Sequence, residues 1–171
     1  MLSVLIETRN DEDALARTLA TLVSGAVEGV VRDVVVHDRG STDQTQMVAD
    51  HAGCTFVDDG ELAAAIRRAR GEWLLMLRPG ARLEPNWIEA VVFHVNSQDG
   101  PARFSRSGRS GLSRLSRLFS RSDPLADGFL MRKSEAVARC PNAGDLAGLV
   151  SGLSVRRLPA AITAVGGEWR G

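Results

Sequence analysis

The sequence of 171 residues contains only two cysteines, no tyrosine and a single lysine, Lys133. Cys54 and Cys140 stand far apart and outside any histidine cluster, which excludes a disulfide framework and a structural zinc site. No apolar run approaches the ~20 residues of a bilayer span, and no basic segment leads into a signal-type core. The formal net charge is +0, so we expect no nucleic-acid partner. We predict a cytoplasmic protein.

Apolar runs alternate with helical patterns over the first 95 residues. Such alternation predicts an α/β fold in which helices cover a mainly parallel central sheet. The length suits a single domain, residues 1–171, with one continuous core. Strands are expected at 2–6, 34–36, 55–57 and 73–77. Helices are expected to begin at Asn10, at Ser41 or Thr42, at Glu61 and at Pro85.

A different composition begins at residue 100. Residues 100–122 are mostly serine, glycine and arginine and include no acidic residue. We expect a mobile segment that starts as a loop and contains a basic amphipathic helix at 112–119. It suits an anionic membrane surface, on the inner face, or a lid over an acceptor; alternatively it is a solvated loop, because arginine is almost the only cation of this chain. Its arginines are Arg103, Arg106, Arg109, Arg114, Arg117 and Arg121.

Three polar loops follow predicted strands, at residues 7–10, 37–43 and 78–80. Ligands of open parallel sheets bind beyond the carboxyl ends of the strands, so we expect these loops to share one crevice. His37 either tunes this site near neutral pH or hydrogen-bonds a loop.

The loop sequences resemble those of family 2 glycosyltransferases. Members of that family continue their first strand with Thr-Tyr-Asn-Glu or similar, and their second with Asp-Asp-Gly-Ser-Thr-Asp. Here residues 8–11 are Thr-Arg-Asn-Asp, and residues 38–43 are Asp-Arg-Gly-Ser-Thr-Asp. Residues 69–73, Ala-Arg-Gly-Glu-Trp, are similar to the family's Ala-x-Gly-Glu-Tyr, and residues 82–87 match the stretch that follows. The ordered matches cover about the first 95 residues.

The resemblance implies a GT-A fold, a Rossmann-like three-layer sandwich, and a glycosyltransferase that uses a nucleoside diphosphate sugar. Residues 1–95 would form the nucleotide-binding half and residues 123–171 a reduced acceptor side. By position, Thr8 and Asp38 match the residues that hold the base. Arg9, Asn10 and Gly40 accompany them, and Gly40 suits a tight turn close to the ligand.

The family's Asp-x-Asp metal motif falls on Arg78-Pro79-Gly80, so no carboxylate remains there to bind Mn²⁺ or Mg²⁺. We therefore predict no metal ligands. In one interpretation Arg78, with Arg9, Arg39 or Arg67, replaces the metal as a cationic clamp on the diphosphate. In the other, metal and activity are both lost, which leaves a module that binds a nucleotide sugar, a partner or a membrane.

Sugar transfer needs a base for the proton of the acceptor hydroxyl. The family usually supplies it from an acidic pair that opens a helix, and Asp145 occupies a comparable place, with Asp127 as a second candidate. A plainer role for Asp145 is that of a helix-start acid. Asp43 is likewise expected either to support the helix that follows it or to be a plain first-turn acid.

Overall fold

A computed structural model describes residues 1–58, 60–97, 100–106 and 123–163. The first half alternates strands and helices: β1 Leu2–Thr8, α1 Glu12–Val27, β2 Val31–Asp38, α2 Thr45–His51, β3 Thr55–Asp58, α3 Leu62–Arg68 and β4 Trp73–Leu77. The second half contains β5 Arg82–Leu83, α4 Trp87–Ser97, β6 Ala102–Arg106, β7 Phe129–Arg132, α5 Lys133–Arg139, a 3₁₀ turn Cys140–Asn142, α6 Leu146–Val150 and β8 Arg156–Thr163.

The strands form one eight-stranded sheet in the order β3-β2-β1-β4-β7-β6-β8-β5. The strands β3, β2, β1 and β4 are parallel, so their carboxyl ends lie at the same edge. β7 is antiparallel to both β4 and β6, β8 is parallel to β6, and the short β5 is antiparallel to β8. The predicted α/β class with a mainly parallel sheet is confirmed.

Helices cover both faces of the sheet, which makes a three-layer sandwich. Strand side chains point alternately to the two faces, so β1 contributes Val4 to one core and Leu5 to the other. The first core packs against Leu22 of α1 and Trp87 of α4. The second packs against Ile66 of α3. Because both faces are buried, β1 and β4 are buried along their whole length.

Three helix starts differ from the prediction. α4 begins at Trp87 instead of Pro85, since the N–H of Trp87 closes a turn on the Glu84 carbonyl at 3.0 Å. α1 has Asp11 at its N-cap, because Asn10 takes a φ of 55° and is tied to the neighbouring loop. α2 begins at Thr45, later than a cap at Ser41 would place it. The reason is Asp43, whose Oδ1 accepts the N–H of Thr45 at 3.0 Å. The role of Asp43 as a support for this helix is confirmed.

The segment at 102–106 is a strand, although we predicted a loop there. Ala102 and Phe104 are fully buried and alternate with the polar Arg103 and Ser105, which is the period of a half-buried strand. The serine- and arginine-rich composition concealed this pattern. The predicted amphipathic helix at 112–119 lies outside the described residues. In the described ranges, no helix combines the length and the apolar character that crossing a bilayer would require.

Candidate functional site

The loops after β1 and β2 are joined by hydrogen bonds at the carboxyl edge of the sheet. Arg39 N–H donates to the Thr8 carbonyl at 2.9 Å. Asn10 N–H donates to Ser41 Oγ at 2.8 Å, and Thr42 N–H donates to Asn10 Oδ1 at 2.7 Å. Asn10 therefore connects two loops instead of capping α1. The predicted convergence of these loops is confirmed.

The Asp38 carboxylate organises the loop after β2. Its Oδ1 accepts the Thr8 hydroxyl at 2.8 Å and the Ser41 hydroxyl at 2.5 Å. Its Oδ2 accepts the N–H groups of Gly40 at 3.1 Å and of Ser41 at 2.7 Å. The structure therefore places the predicted pair Thr8 and Asp38 in direct contact. Because both carboxylate oxygens already accept two donors, Asp38 acts mainly by holding this loop in place.

A cleft of about 280 Å³ opens beside this loop, between the ends of β2 and β3. Gly40 lies in its wall with a φ of 82°, a conformation that glycine adopts without strain. Phe56 supplies an aromatic ring and Asp58 a carboxylate at the end of β3. Such a lining suits a planar ring that carries N–H donors. The lining residues are Asp38, Gly40, Ser41, Asp43, Gln46, Phe56 and Asp58.

Glu7 is a buried carboxylate at the centre of the loop cluster. Its side chain is 1% exposed, and its Oε1 lies 3.8 Å from Nη1 of Arg39 and 3.8 Å from Nη1 of Arg78. Its Oε2 accepts the N–H of Leu146, the first residue of α6, at 3.2 Å. Oε1 is buried and has no hydrogen-bond partner. Glu7 thus neutralises two guanidinium groups from neighbouring loops across gaps longer than a hydrogen bond.

Arg78 also contacts a second carboxylate, that of Asp123. Its Nε donates to Asp123 Oδ2 at 2.7 Å and its Nη2 donates to Oδ1 at 3.1 Å, a bidentate pair. The guanidinium is only 12% exposed, whereas the Asp123 side chain is 31% exposed. At the position where a metal-binding acid was the expectation from the family, the chain therefore holds a cation that two acids neutralise.

Asp145 lies at the far side of the cluster and caps α6. Its Oδ1 accepts the N–H of Gly148 at 2.6 Å, which confirms the helix-start role. Its Oδ2 lies 4.0 Å from Nη1 of Arg39, and its side chain is 36% exposed. The second candidate base, Asp127, lies in the turn before β7, where its carbonyl accepts the N–H of Phe104. Asp145 is thus adjacent to the cluster and accessible.

The pKa values of His37 and Asp11, two titratable groups of this edge, lie above their ordinary values. Burial acts to lower the pKa of His37, but the nearby Glu7 carboxylate and the Gly60 carbonyl outweigh it and raise the pKa. The ring Nε2 lies 2.8 Å from that carbonyl, so the expected hydrogen bond from His37 to a loop is confirmed. For Asp11, by contrast, burial raises the pKa, and the nearby carboxylates of Asp43 and Asp38 raise it further.

Two predicted arginines contact other groups. Arg9 is exposed, and its N–H donates to Asp11 Oδ2 at 2.9 Å. Arg67 is exposed in the last turn of α3, where its carbonyl accepts Nζ of Lys133 at 3.2 Å. Lys133 follows Arg132, which pairs with Trp73 at the start of β4, so Arg67 lies at the amino edge of the sheet, away from the site. Among the described residues, the guanidiniums beside Glu7 are those of Arg39 and Arg78.

The fold of this chain is similar to that of several solved structures. The chain is similar to glucosyl-3-phosphoglycerate synthase from Mycobacterium tuberculosis in complex with Mn²⁺, UDP and glucosyl-3-phosphoglycerate, with a TM-score of 0.57 and 17% identity. The match covers 80% of this chain and 58% of that chain. A complex of the same enzyme with Mn²⁺ and UDP-glucose matches with a TM-score of 0.60 and 16% identity, over 80% and 57% of the two chains. The chain adopts a GT-A fold.

The GT-A chain spans less than three fifths of the length of these enzymes. No protein-family model and no curated protein sequence matches it.

The donor set of this GT-A fold does not fit a divalent cation. Mn²⁺ and Mg²⁺ need several hard oxygen ligands, but the loop after β4 presents the Arg78 guanidinium, which Asp123 and Glu7 already neutralise. In the part of the chain that the structure describes, no group of three or more His, Cys, Asp or Glu side chains could hold a metal ion.

Sequence reasoning missed four residues of this GT-A site: Glu7, Phe56, Asp58 and Asp123. Glu7 carried one signal, since a charged residue at the end of an otherwise apolar strand must be buried beside a partner. The only sequence signal for Phe56 and Asp58 was their position at the carboxyl end of β3. Asp123 carried no signal, because its contact with Arg78 spans 45 residues.

Proposed function

We propose that this chain is a glycosyltransferase that transfers a sugar from a nucleoside diphosphate sugar without an Asp-x-Asp metal. The observation that carries the proposal is the cleft between β2 and β3 beside the paired guanidiniums of Arg39 and Arg78. Arg39 directly follows Asp38, which lines the cleft, so a base in the cleft would extend its diphosphate toward both arginines. The M. tuberculosis enzyme of similar fold binds UDP and UDP-glucose, which supports a uridine nucleotide as the first candidate.

The nucleotide would be held by the loops after β1 and β2. Phe56 would stack on the base, with Asp58 accepting an N–H from its edge. Thr8, Asn10 and Asp38 would act as positioning residues, because their side chains bond the loops to each other. Gly40 would let the backbone approach the ligand, and the exposed Arg9 would add positive charge near the diphosphate.

In the transfer step, the acceptor hydroxyl attacks the anomeric carbon of the sugar. Asp145 would take the proton from that hydroxyl as the general base. The bond from the anomeric carbon to the diphosphate breaks, and the nucleoside diphosphate leaves with the bonding electrons. Arg78 and Arg39 would stabilise the charge that develops on the leaving group, as a metal does in other such enzymes.

A second candidate is a non-catalytic GT-A module that binds a nucleotide sugar, a partner or a membrane. The bidentate pair of Arg78 with Asp123 favours it, because the cation that the leaving group needs is already occupied.

A cytoplasmic location and a peripheral contact with an anionic inner membrane face, through the arginines from Arg103 to Arg121, stay proposals from the sequence. Arg103 is partly buried on β6, so this contact would depend on the arginines that follow it. Co-sedimentation with anionic and neutral liposomes, at low and high salt, tests it: pelleting that is independent of lipid charge and of salt would contradict it.

Thermal denaturation with UDP-, GDP- and dTDP-sugars, each in EDTA and in Mn²⁺, tests the proposed function. A ligand at 100 times its Kd should stabilise the fold by about 2.7 kcal/mol. We expect one nucleotide to do so equally in EDTA and in Mn²⁺. Phe56→Ala should abolish the gain, whereas Phe93→Ala, a change at an exposed ring on α4, should preserve it.

Catalysis is tested by the release of nucleoside diphosphate from the stabilising sugar nucleotide, with water as the acceptor. We expect slow release that Asp145→Asn abolishes without weakening binding. Binding without release would favour the non-catalytic module. If no sugar nucleotide stabilises the chain, both candidates that bind one are wrong.

A further inference from the structure

The two arginines of the site are held by carboxylates of different kinds. Glu7 is 1% exposed, is fixed by the Leu146 N–H and lies 3.8 Å from each guanidinium. These gaps exceed hydrogen-bond length, so Glu7 attracts Arg39 and Arg78 electrostatically without accepting hydrogen bonds from them. Glu7 is therefore a permanent internal counter-charge, which no ligand could reach or replace.

Asp123 contacts Arg78 in a different way. Its two oxygens accept hydrogen bonds from Nε and Nη2 of the guanidinium, at 2.7 and 3.1 Å. This fork is the geometry with which arginine binds the oxygens of a phosphate group. The Asp123 side chain is 31% exposed, so it meets solvent at the place where an anion would approach.

The attachment of Asp123 to the fold is also weak enough to exchange. Among the residues that the structure describes, its carboxylate accepts the N–H of Leu125 at 3.0 Å besides the Arg78 donors, within a turn that precedes β7. Asp145, the other exposed acid, is fixed more firmly, because its Oδ1 caps α6 at 2.6 Å. Among the described carboxylates that form ion pairs with these arginines, namely Glu7, Asp123 and Asp145, Asp123 is the one whose displacement leaves every helix and strand intact.

We propose that Asp123 occupies the phosphate position of the site in the free protein, and that an incoming diphosphate displaces it from Arg78. The proposal rests on the proposed function for the identity of the ligand. Glu7 keeps Arg78 in place during the exchange, so the anion meets a cation that is already oriented. Asp123 thereby sets the affinity of the phosphate position: a group must be anionic to compete there with a bidentate carboxylate, so neutral sugars and nucleosides gain no affinity from Arg78.

This proposal predicts a gain of affinity when an acid of the site is removed. Asp123→Asn removes the competing charge, and UDP and inorganic pyrophosphate should bind about tenfold more tightly, a value discounted for the partial exposure of the pair. Uridine, which has no phosphate, should bind with unchanged affinity. Asp50→Asn is the matched control, since it removes one charge from an exposed position on α2 and should change neither affinity.

Isothermal titration of the full chain with UDP, pyrophosphate and uridine, at constant ionic strength, decides the matter. If the wild-type protein binds UDP and Asp123→Asn binds it equally or more weakly, Asp123 is a structural ion pair and the proposal is wrong. An equal gain in Asp50→Asn would also overturn it, because net charge alone would then explain the effect. Asp123→Ser, whose hydroxyl can still accept the Leu125 N–H, replaces the first variant if that one fails to fold.

The pyrophosphate titration separates this proposal from the proposed function. If UDP binds to neither protein but pyrophosphate binds Asp123→Asn more tightly than wild type, the anion site exists and the nucleotide assignment is wrong. If pyrophosphate binds neither protein, no phosphate position exists on Arg78 and the inference itself fails.

Discussion

Two buried carboxylates lie at opposite ends of the same pair of strands, and their surroundings differ. Asp33 lies near the amino end of β2, opposite Ser3 of β1, whereas Glu7 lies near the carboxyl end of β1, opposite His37 of β2. Both side chains are almost completely buried. At both ends of this pair of parallel strands, the fold must therefore compensate the energetic cost of burying a carboxylate.

The amino end solves this problem with hydrogen bonds. The Ser3 hydroxyl donates to Asp33 Oδ1 at 2.5 Å, and Arg70 N–H donates to Oδ2 at 3.2 Å. Ser3 Oγ in turn accepts the N–H of Gly71 at 2.7 Å. A Cβ at Gly71 would lie 2.5 Å from the Ser3 nitrogen, so only glycine permits this close approach. The result is a closed cluster without room for a ligand.

The carboxyl end leaves polar atoms without partners. Glu7 Oε1 and His37 Nδ1 are buried and lack hydrogen bonds, and the guanidiniums near Glu7 are held by charge at 3.8 Å. Buried polar groups are nearly always hydrogen-bonded in proteins, so such exceptions mark sites where stability is given up for another purpose. The amino end thus satisfies its buried carboxylate with hydrogen bonds, whereas the carboxyl end keeps unsatisfied polar atoms at the place where the proposed ligand would bind.

The largest effect should come from Asp33→Asn. The amide group presents a donor to the Arg70 N–H and removes the charge that the Ser3 hydroxyl meets, which leaves buried donors unsatisfied. We expect a loss of about 3 kcal/mol in the free energy of unfolding, with nucleotide affinity unchanged, because the opposite end of the sheet is affected. Urea denaturation and titration measure the two quantities, and Asp13→Asn on the exposed face of α1 is the control. A change in nucleotide affinity would mean that the two ends are coupled.

Glu7→Gln is the isosteric counterpart at the carboxyl end and should cost less, about 1 kcal/mol. The amide oxygen can still accept the Leu146 N–H, and Oε1 has no hydrogen bond to lose. What disappears is attraction across 3.8 Å to Arg39 and Arg78, of which Arg78 keeps Asp123 as a partner. The same urea experiment measures it. A loss as large as that of Asp33→Asn would break the contrast between the two ends.

Regular local patterns made much of the fold predictable from the sequence. β4 begins and ends at the predicted residues, Trp73 and Leu77, because an uninterrupted apolar run between Gly71 and a polar loop is typical of a strand buried on both faces. The start of α2 was not predictable in the same way. It depends on the Asp43 side chain, which accepts hydrogen bonds from the N–H groups of both Thr45 and Glu12. Asp43 is therefore positioned by α1 as well as by α2.

The contacts of the candidate site likewise differ in how far the sequence predicts them. The contact of Thr8 with Asp38 was predictable, since both end neighbouring parallel strands whose ends align. The contact of Arg78 with Asp123 was not, because it depends on β7 pairing antiparallel to β4. In that pairing Phe129 lies opposite Met76, so residues before β7 come to lie beside residues after β4. No periodicity or motif in the sequence specifies such a pairing.

The smallest effect concerns the protonation of His37, the group that faces Glu7 at the unsatisfied end. Burial lowers the pKa of His37, yet Glu7 and the Gly60 carbonyl outweigh it, although the charge of Arg39 opposes them, and the folded pKa lies above the ordinary value of 6.5. Protonated His37 therefore stabilises the fold. Its contribution is fully present below pH 6.5 and is lost as the pH rises through the higher folded pKa. The difference in melting temperature between the wild type and His37→Gln should thus be larger at pH 5.5 than at pH 9. In a Glu7→Gln background this pH dependence should shrink, because the carboxylate that holds the charged ring is gone.

An identical difference in melting temperature at both pH values would contradict this prediction. It would show that His37 contributes only its hydrogen bond to Gly60, and that Arg39 and Arg78 are the cations that stabilise buried Glu7.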